Sequence, residues 1–265
     1  MASTFEGFCD AHDGTLFAPV ETSPRLIDRT ALYLFSFRAL AYSRHRKAVA
    51  LERVNICREL DAGLAAWAQA SFQRRVFAMQ AGTTRAMTDL TAMKDRLDHM
   101  YRFGDYSGFN AAGWLFSEFL PVAYSGAFYP EYDLNRTPLQ RLGHGDDPFE
   151  IVCATLTPWN GKALLVLAWV GEQDGPAERY VRSFHALPDD KKAGAAVYAG
   201  FNEQENIIMR PSWWNNLPQS YRDALEEMRM SGTETVPGKL SSECNFTIAS
   251  SVVESTYYFG DLNFE

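Results

Sequence analysis

Apolar residues fall in two different rhythms along the chain. Leu32, Tyr33, Leu34, Phe35, Phe37 and Leu40 are apolar nearly all the way round a helix, which predicts a helix buried on several sides. Ser23 offers an N-cap and Pro24 a first helical position without a needed N–H, so this helix is expected from Arg25 to about Ala50. A second run follows through Leu60, Leu64, Trp67, Phe72, Val76, Met79, Leu90, Met93, Leu97 and Met100. Within the three groups Leu60–Trp67, Phe72–Met79 and Leu90–Met100 the steps are three or four, which places these residues on one helix face. Gly82-Thr83-Thr84 is a candidate break in it. The expectation is a long helical hairpin or a three-helix layer.

Punctuation separates this half from the next. No proline occurs from Arg25 to Leu120, whereas Pro121, Pro130, Pro138, Pro148 and Pro158 return about every ten residues. Pro121–Phe128, Phe149–Leu156 and Lys162–Val170 read as strands. Asn160-Gly161 between the last two predicts an antiparallel hairpin. Helices are expected again from Ala177 to Arg229, with Pro188 and Pro218 before helical starts, and Phe246–Phe259 can add a strand. Helices, then strands, then helices is the order of an α+β fold. The segments are 1–22, 23–104 and 105–265, expected to form one compact unit. No internal repeat is visible.

Composition narrows the class. The 265 residues are 46% hydrophobic and 14% aromatic, enough for a sizeable core and too apolar for a disordered chain. The longest apolar run, Ala163 to Val170, is eight residues and cannot span a bilayer. Met1 to Gly14 shows no basic-then-apolar leader, and Cys9, Cys57, Cys153 and Cys244 are scattered. These features predict a cytoplasmic protein with free thiols and no membrane partner.

The net charge of −8 conceals a split. Residues 25–102 hold 14 Lys+Arg against 7 Asp+Glu, a balance of +7, and the remainder stands at −15. The densest basic spot is Arg44-His45-Arg46-Lys47, the candidate face for nucleic acid or another partner. Basic residues late in a helix also complement its dipole, or face an acidic half of the same molecule.

Several chemistries lack their residues. There is no Gly-x-Ser-x-Gly, phosphate loop or Gly-x-Gly-x-x-Gly; Tyr124-Ser125-Gly126 is only a fragment of the first. Gly143-His144-Gly145-Asp146-Asp147 reads as a solvated loop with cation-binding side chains. Trp213-Trp214 cannot share one helix face, so one is expected in the core and the other near the surface as an interface anchor. Cys9-Asp10-Ala11-His12 supplies a thiolate and an imidazole, half of a structural zinc site, with no cofactor otherwise implied.

The block from Ala2 to Asp13, continued by Leu16-Phe17-Ala18-Pro19-Val20-Glu21, resembles one found in uncharacterised bacterial proteins. Longer members of that group carry an upstream cysteine pair and a Ser-His element, an HNH-like zinc-binding arrangement. Ser125–Asp133 and the Glu205-Asn206 to Ser212-Trp213-Trp214 region are similar to the same group, so the resemblance covers most of the chain. It implies Cys9 and His12 as metal ligands but no known activity, and this chain lacks the upstream cysteine pair. Three functions stand open: a non-catalytic bacterial binding module, possible in a defence system; a metal-dependent nuclease or hydrolase; and a structural subunit self-associating through the long helices.

Overall fold

The computed structural model describes residues 8–22, 26–143, 148–230 and 248–260. Two short helices, α1 (Asp10–Leu16) and α2 (Ala18–Glu21), precede the long helices α3 (Arg29–Cys57) and α4 (Ala66–Phe103). Strands β1 (Phe109–Phe116), β2 (Val122–Phe128), β3 (Val152–Trp159) and β4 (Lys162–Val170) follow. Next come α5 (Pro176–His185), α6 (Asp189–Glu203), β5 (Ile207–Met209), α7 (Pro211–Asn216), α8 (Gln219–Met230) and β6 (Val253–Phe259). This is the α+β class that the punctuation predicts, and the long helices form a hairpin.

The start of α3 differs from the expectation. Ser23 and Pro24 lie outside the described residues, and the cap is Asp28, whose carboxylate accepts the Ala31 N–H at 2.8 Å. An Asp on extended backbone satisfies an orphan N–H as well as Ser does. The helix therefore opens at Arg29 and runs seven residues past Ala50, to Cys57. Gly82 does not break α4 either. A single glycine costs about 1 kcal/mol, too little to stop a helix held on both sides. Gly104 ends it, with φ 68° and its N–H on the Met100 carbonyl.

The six strands form one antiparallel sheet in the order β5-β2-β3-β4-β1-β6. Asn160 and Gly161 have φ of 49° and 84°, the positive pair a two-residue type I′ turn needs, and join Trp159 to Lys162. Strand β3 runs later than predicted, ending at Trp159 rather than Leu156. At its other end Glu150 lies outside the ladder: its N–H and C=O bond the Gln140 side-chain amide (3.1 and 2.9 Å), while its carboxylate accepts the Ala177 N–H at the start of α5 (2.9 Å). Strands β1 and β5 were not legible. Asn110 and Gly113 interrupt the apolar rhythm of β1, and β5 has only three residues.

Helices cover both faces of the sheet, and β4 is buried from Ala163 to Val170 for that reason. Leu165, Leu167 and Trp169 share a core with Tyr180, Phe184, Val197 and Leu225 of α5, α6 and α8. Leu164, Val166 and Ala168 share the opposite core with Leu32, Phe35 and Leu40 of α3 and with Leu97 of α4. Two glycines permit close approach. A Cβ on Gly113 would stand 3.2 Å from Leu32, and one on Gly200 would stand 2.7 Å from the Tyr124 ring. The Tyr124 hydroxyl donates to the Ala196 carbonyl (3.0 Å), fixing α6 across β2.

Candidate interaction surface

The hairpin outruns the sheet. A 38-residue helix is ~57 Å long, whereas an eight-residue strand spans only ~27 Å. Helix α3 leaves the sheet at Ser43. Its hydroxyl accepts the Ala127 N–H (2.7 Å), capping the edge of β2 that β5 does not reach. Around this root Arg44 Nε donates to Thr91 Oγ1 (3.1 Å), and Lys47 pairs with Glu205 (2.5 Å). Tyr129 donates to the Ala86 carbonyl (3.3 Å). Arg85 pairs with buried Asp89 at 3.5 Å and lies over the Phe149 ring. Burial pushes the Asp89 carboxyl up, opposed by Arg85.

The basic cluster thus divides. Arg44 and Lys47 are bound into the root, His45 is half-buried, and Arg46 is exposed. The cluster also lies ten residues before the end of α3, so it does not meet the helix's carboxyl terminus.

Beyond the root, residues 48–84 form an arm. Its buried residues are Val54, Asp61 and Val76, and side-chain hydrogen bonds tie α4 to the end of α3 and the turn after it: Arg58 to Gln80, Gln73 to the Arg58 carbonyl, Gln69 to the Asp61 carbonyl. Leu60, Leu64, Trp67 and Met79, which the spacing puts on one helix face, are exposed. The exposures are Trp67 79%, Phe77 71%, Leu60 65%, Ile56 64%, Leu64 50% and Met79 42%. The periodicity is real, but the sheet that would cover it has ended.

These six side chains leave on the order of 700 Å² exposed. At 100° per residue Trp67, Phe77 and Met79 point in different directions from α4, so this area is distributed around the arm. Exposed Arg46, Arg53, Arg58, Arg74 and Arg75 accompany them, against exposed Glu52 and Glu59, and residues 48–84 contain no lysine. Aromatic residues, Met and Arg without Lys are the composition of protein interfaces. Ile56 and Phe77 escaped the sequence reading. The arginine-without-lysine bias was the available signal.

The other candidates are dispersed. Cys9 is exposed, Cys57 half-buried at the end of α3, and Cys153 buried in β3, where burial pushes its thiol far up. The His12 side chain, Cys244 and His144 to Asp147 lie outside the described residues. Among the described residues no group of three or more His, Cys, Asp or Glu is placed to hold a metal. Trp213 and Trp214 are both half-buried on α7 against the outer core, Trp214 stacking on Phe201 with centroids 6.0 Å apart. The division into one core and one surface tryptophan is not what forms, because α7 lies along the core's margin and both rings reach it. Burial raises the Glu203 carboxyl to about 7, with the Asn202 amide opposing and the Glu131 charge adding.

No family model matches this chain, and no match is found among curated proteins or solved structures. Among the described residues no helix is long and apolar enough to cross a membrane.

Proposed function

We propose that the protein is a non-catalytic interaction module whose α3–α4 arm docks on a partner protein. The partner face is acidic and carries apolar pockets for Trp67 and Phe77. The observation that carries this reading is the exposed apolar tip on an arm the body leaves uncovered. Four exposed arginines of the arm against two glutamates, with Arg46 at its root, select the sign of the partner's charge. Trp and Arg are the residue types that dominate binding energy at interfaces, which supports Trp67 with Arg74 and Arg75 as the anchor. The reading places the module in the cytoplasm, in keeping with Cys57 and Cys153 as free thiols.

A photoreactive amino acid at position 67 or 77, introduced in the native cells, tests this. The expected product is a cross-link to one protein at an acidic segment, lost when Arg74 and Arg75 are both changed to Glu. Position 135, on the body, yields no such product. Equal labelling from position 135, or indifference to the arginine reversals, refutes the reading. So does low-salt gel-shift binding of duplex or single-stranded DNA or RNA that requires the same arginines, which assigns the arm to a polyanion instead.

A further inference from the structure

The exposed apolar residues of the arm do not share one side of it. Val54 and Val76 are its buried apolar residues, and Gln73 and Gln80, within about 60° of Val76 around α4, bond to Arg58 of the α3 end. Val54 and Val76 therefore mark the sides that the two helices turn towards each other. At about 100° per residue, Trp67 lies opposite Val76, Phe77 about 100° to one side of it and Met79 about 60° to the other. On α3, Ile56 lies about 160° from Val54. Ile56 and Trp67 are each one residue from the facing ends of their helices, so they stand at the same height and leave the hairpin from opposite outer sides. Phe77 and Met79 leave from its two flanks. Leu60 and Leu64, in the turn between the helices, are exposed at its end.

Charge is distributed in the same way. Arg74 stands within about 20° of Trp67, and Arg75 within about 40° of Met79. Among the described residues, no carboxylate pairs with Arg53, Arg74 or Arg75. Residues 66–88 hold Arg74, Arg75 and Arg85 and no aspartate or glutamate. A second copy is therefore the wrong occupant, since pairing two α4 helices sets arginines against arginines.

Building on the docking reading, we propose that the arm enters a socket in a single partner protein, apolar at its floor and acidic on its walls. A flat surface reaches one side of a hairpin and leaves the other in water, so it cannot bury Trp67 and Ile56 together. Enclosure buries both, with Leu60 and Leu64 at the floor and Phe77 and Met79 against the side walls. Twelve residues separate Trp67 from Met79, so the socket is ~18 Å deep. Acidic groups are needed on at least two of its walls, opposite Arg74 and opposite Arg75.

Photoreactive amino acids placed one at a time at positions 56, 67, 77 and 79 of the whole protein, in the native cells, test this. Position 135 is the control, and mass spectrometry maps each cross-link. All four positions are expected to join the same partner chain, and Arg74→Glu with Arg75→Glu is expected to lower each yield about ten-fold or more. A protein labelled at both 56 and 67 is expected to attach to one partner molecule at two sites. Should the variants at 77 and 79 fail to fold, as read by thermal unfolding, the opposed pair 56 and 67 decides the matter. Cross-links from 67 and 77 but not from 56 overturn the socket and leave the docking reading standing. Different proteins joined from 56 and 67, or a second copy of this chain joined from any of the four, also overturn the socket. Labelling from all four positions no greater than from position 135 overturns the docking reading and the socket with it.

Discussion

Replacing Glu203 by Gln should remove a pH dependence that the fold builds into α6. Burial raises this carboxyl from 4.5 to about 7, although the Asn202 amide holds the ionised form at 2.5 Å. The folded state therefore binds the proton more tightly than the unfolded chain. The stability contributed is fully present below about pH 4.5 and is lost as pH rises through about 7. Taken whole, the shift is worth ~3 kcal/mol. Glu203 keeps some contact with water, and screening reduces this to ~1–2 kcal/mol. Glutamine preserves the shape of the neutral acid. Glu203→Gln should match wild type near pH 4.5 and exceed it by ~1–2 kcal/mol near pH 8, or about 2–4 °C in Tm per kcal/mol. Burial also raises Glu150 and Asp89, so both proteins lose stability as pH rises, and the difference between them isolates Glu203. Urea unfolding of both proteins near pH 4.5, 6 and 8 measures it. A difference that is absent near pH 8, or largest near pH 4.5, refutes the reasoning.

Three further outcomes follow from the packing. Gly200→Ala gains about 1 kcal/mol of helix propensity but sets a methyl 2.7 Å from Tyr124; urea unfolding should register a net loss of ~1–2 kcal/mol, and a gain contradicts the close approach. Trp214→Ala should lower stability by ~2 kcal/mol through its lost stack on Phe201, read as Tm; unchanged Tm reassigns Trp214 to an interface. Gly161→Ala forces a side chain into φ 84° and should cost ~1–2 kcal/mol in thermal unfolding with the β3–β4 register intact by NMR.

What was legible tracks how locally each feature is determined. The Asn160-Gly161 hairpin and the doubly buried run of β4 are written in a few consecutive residues, and both form where predicted. Strand β1 was hidden because its glycine serves a distant neighbour, Leu32 of α3, rather than a turn. The start of α3 was not fixed by sequence because Ser23 and Asp28 are both residue types that cap helices well, and the helix opens after Asp28. The exposure of the arm was hidden for a related reason. Periodicity reports that a helix has an apolar face; it does not report whether a sheet lies beneath it, and the heptad-like steps through Trp67 and Met79 continue past the last strand. Likewise the basic cluster was visible, but the assignment of Arg44 to Thr91 and Lys47 to Glu205 depends on residues 47 and 158 positions away.

The arm's exposed tip has a cost that its own fold does not offset. Helices need a nucleus, and the body supplies one: α3 is buried from Ala31 to Phe37, and α4 from Leu90 to Met100 at helical spacing. Propagation from those rooted ends carries the helices outward with little packing, which is why Val54 and Val76 suffice between them. The apolar residues at Ile56, Leu60, Trp67 and Phe77 are therefore not required to hold the hairpin together. In isolation they add only a tendency to aggregate, and Arg53, Arg58, Arg74 and Arg75 flank them as charges that resist it. A surface that contributes nothing to its own helix and is guarded against indiscriminate contact makes physical sense when one specific contact buries it. The same arginines that deter self-aggregation then meet an acidic partner, so that solubility and recognition come from one set of residues.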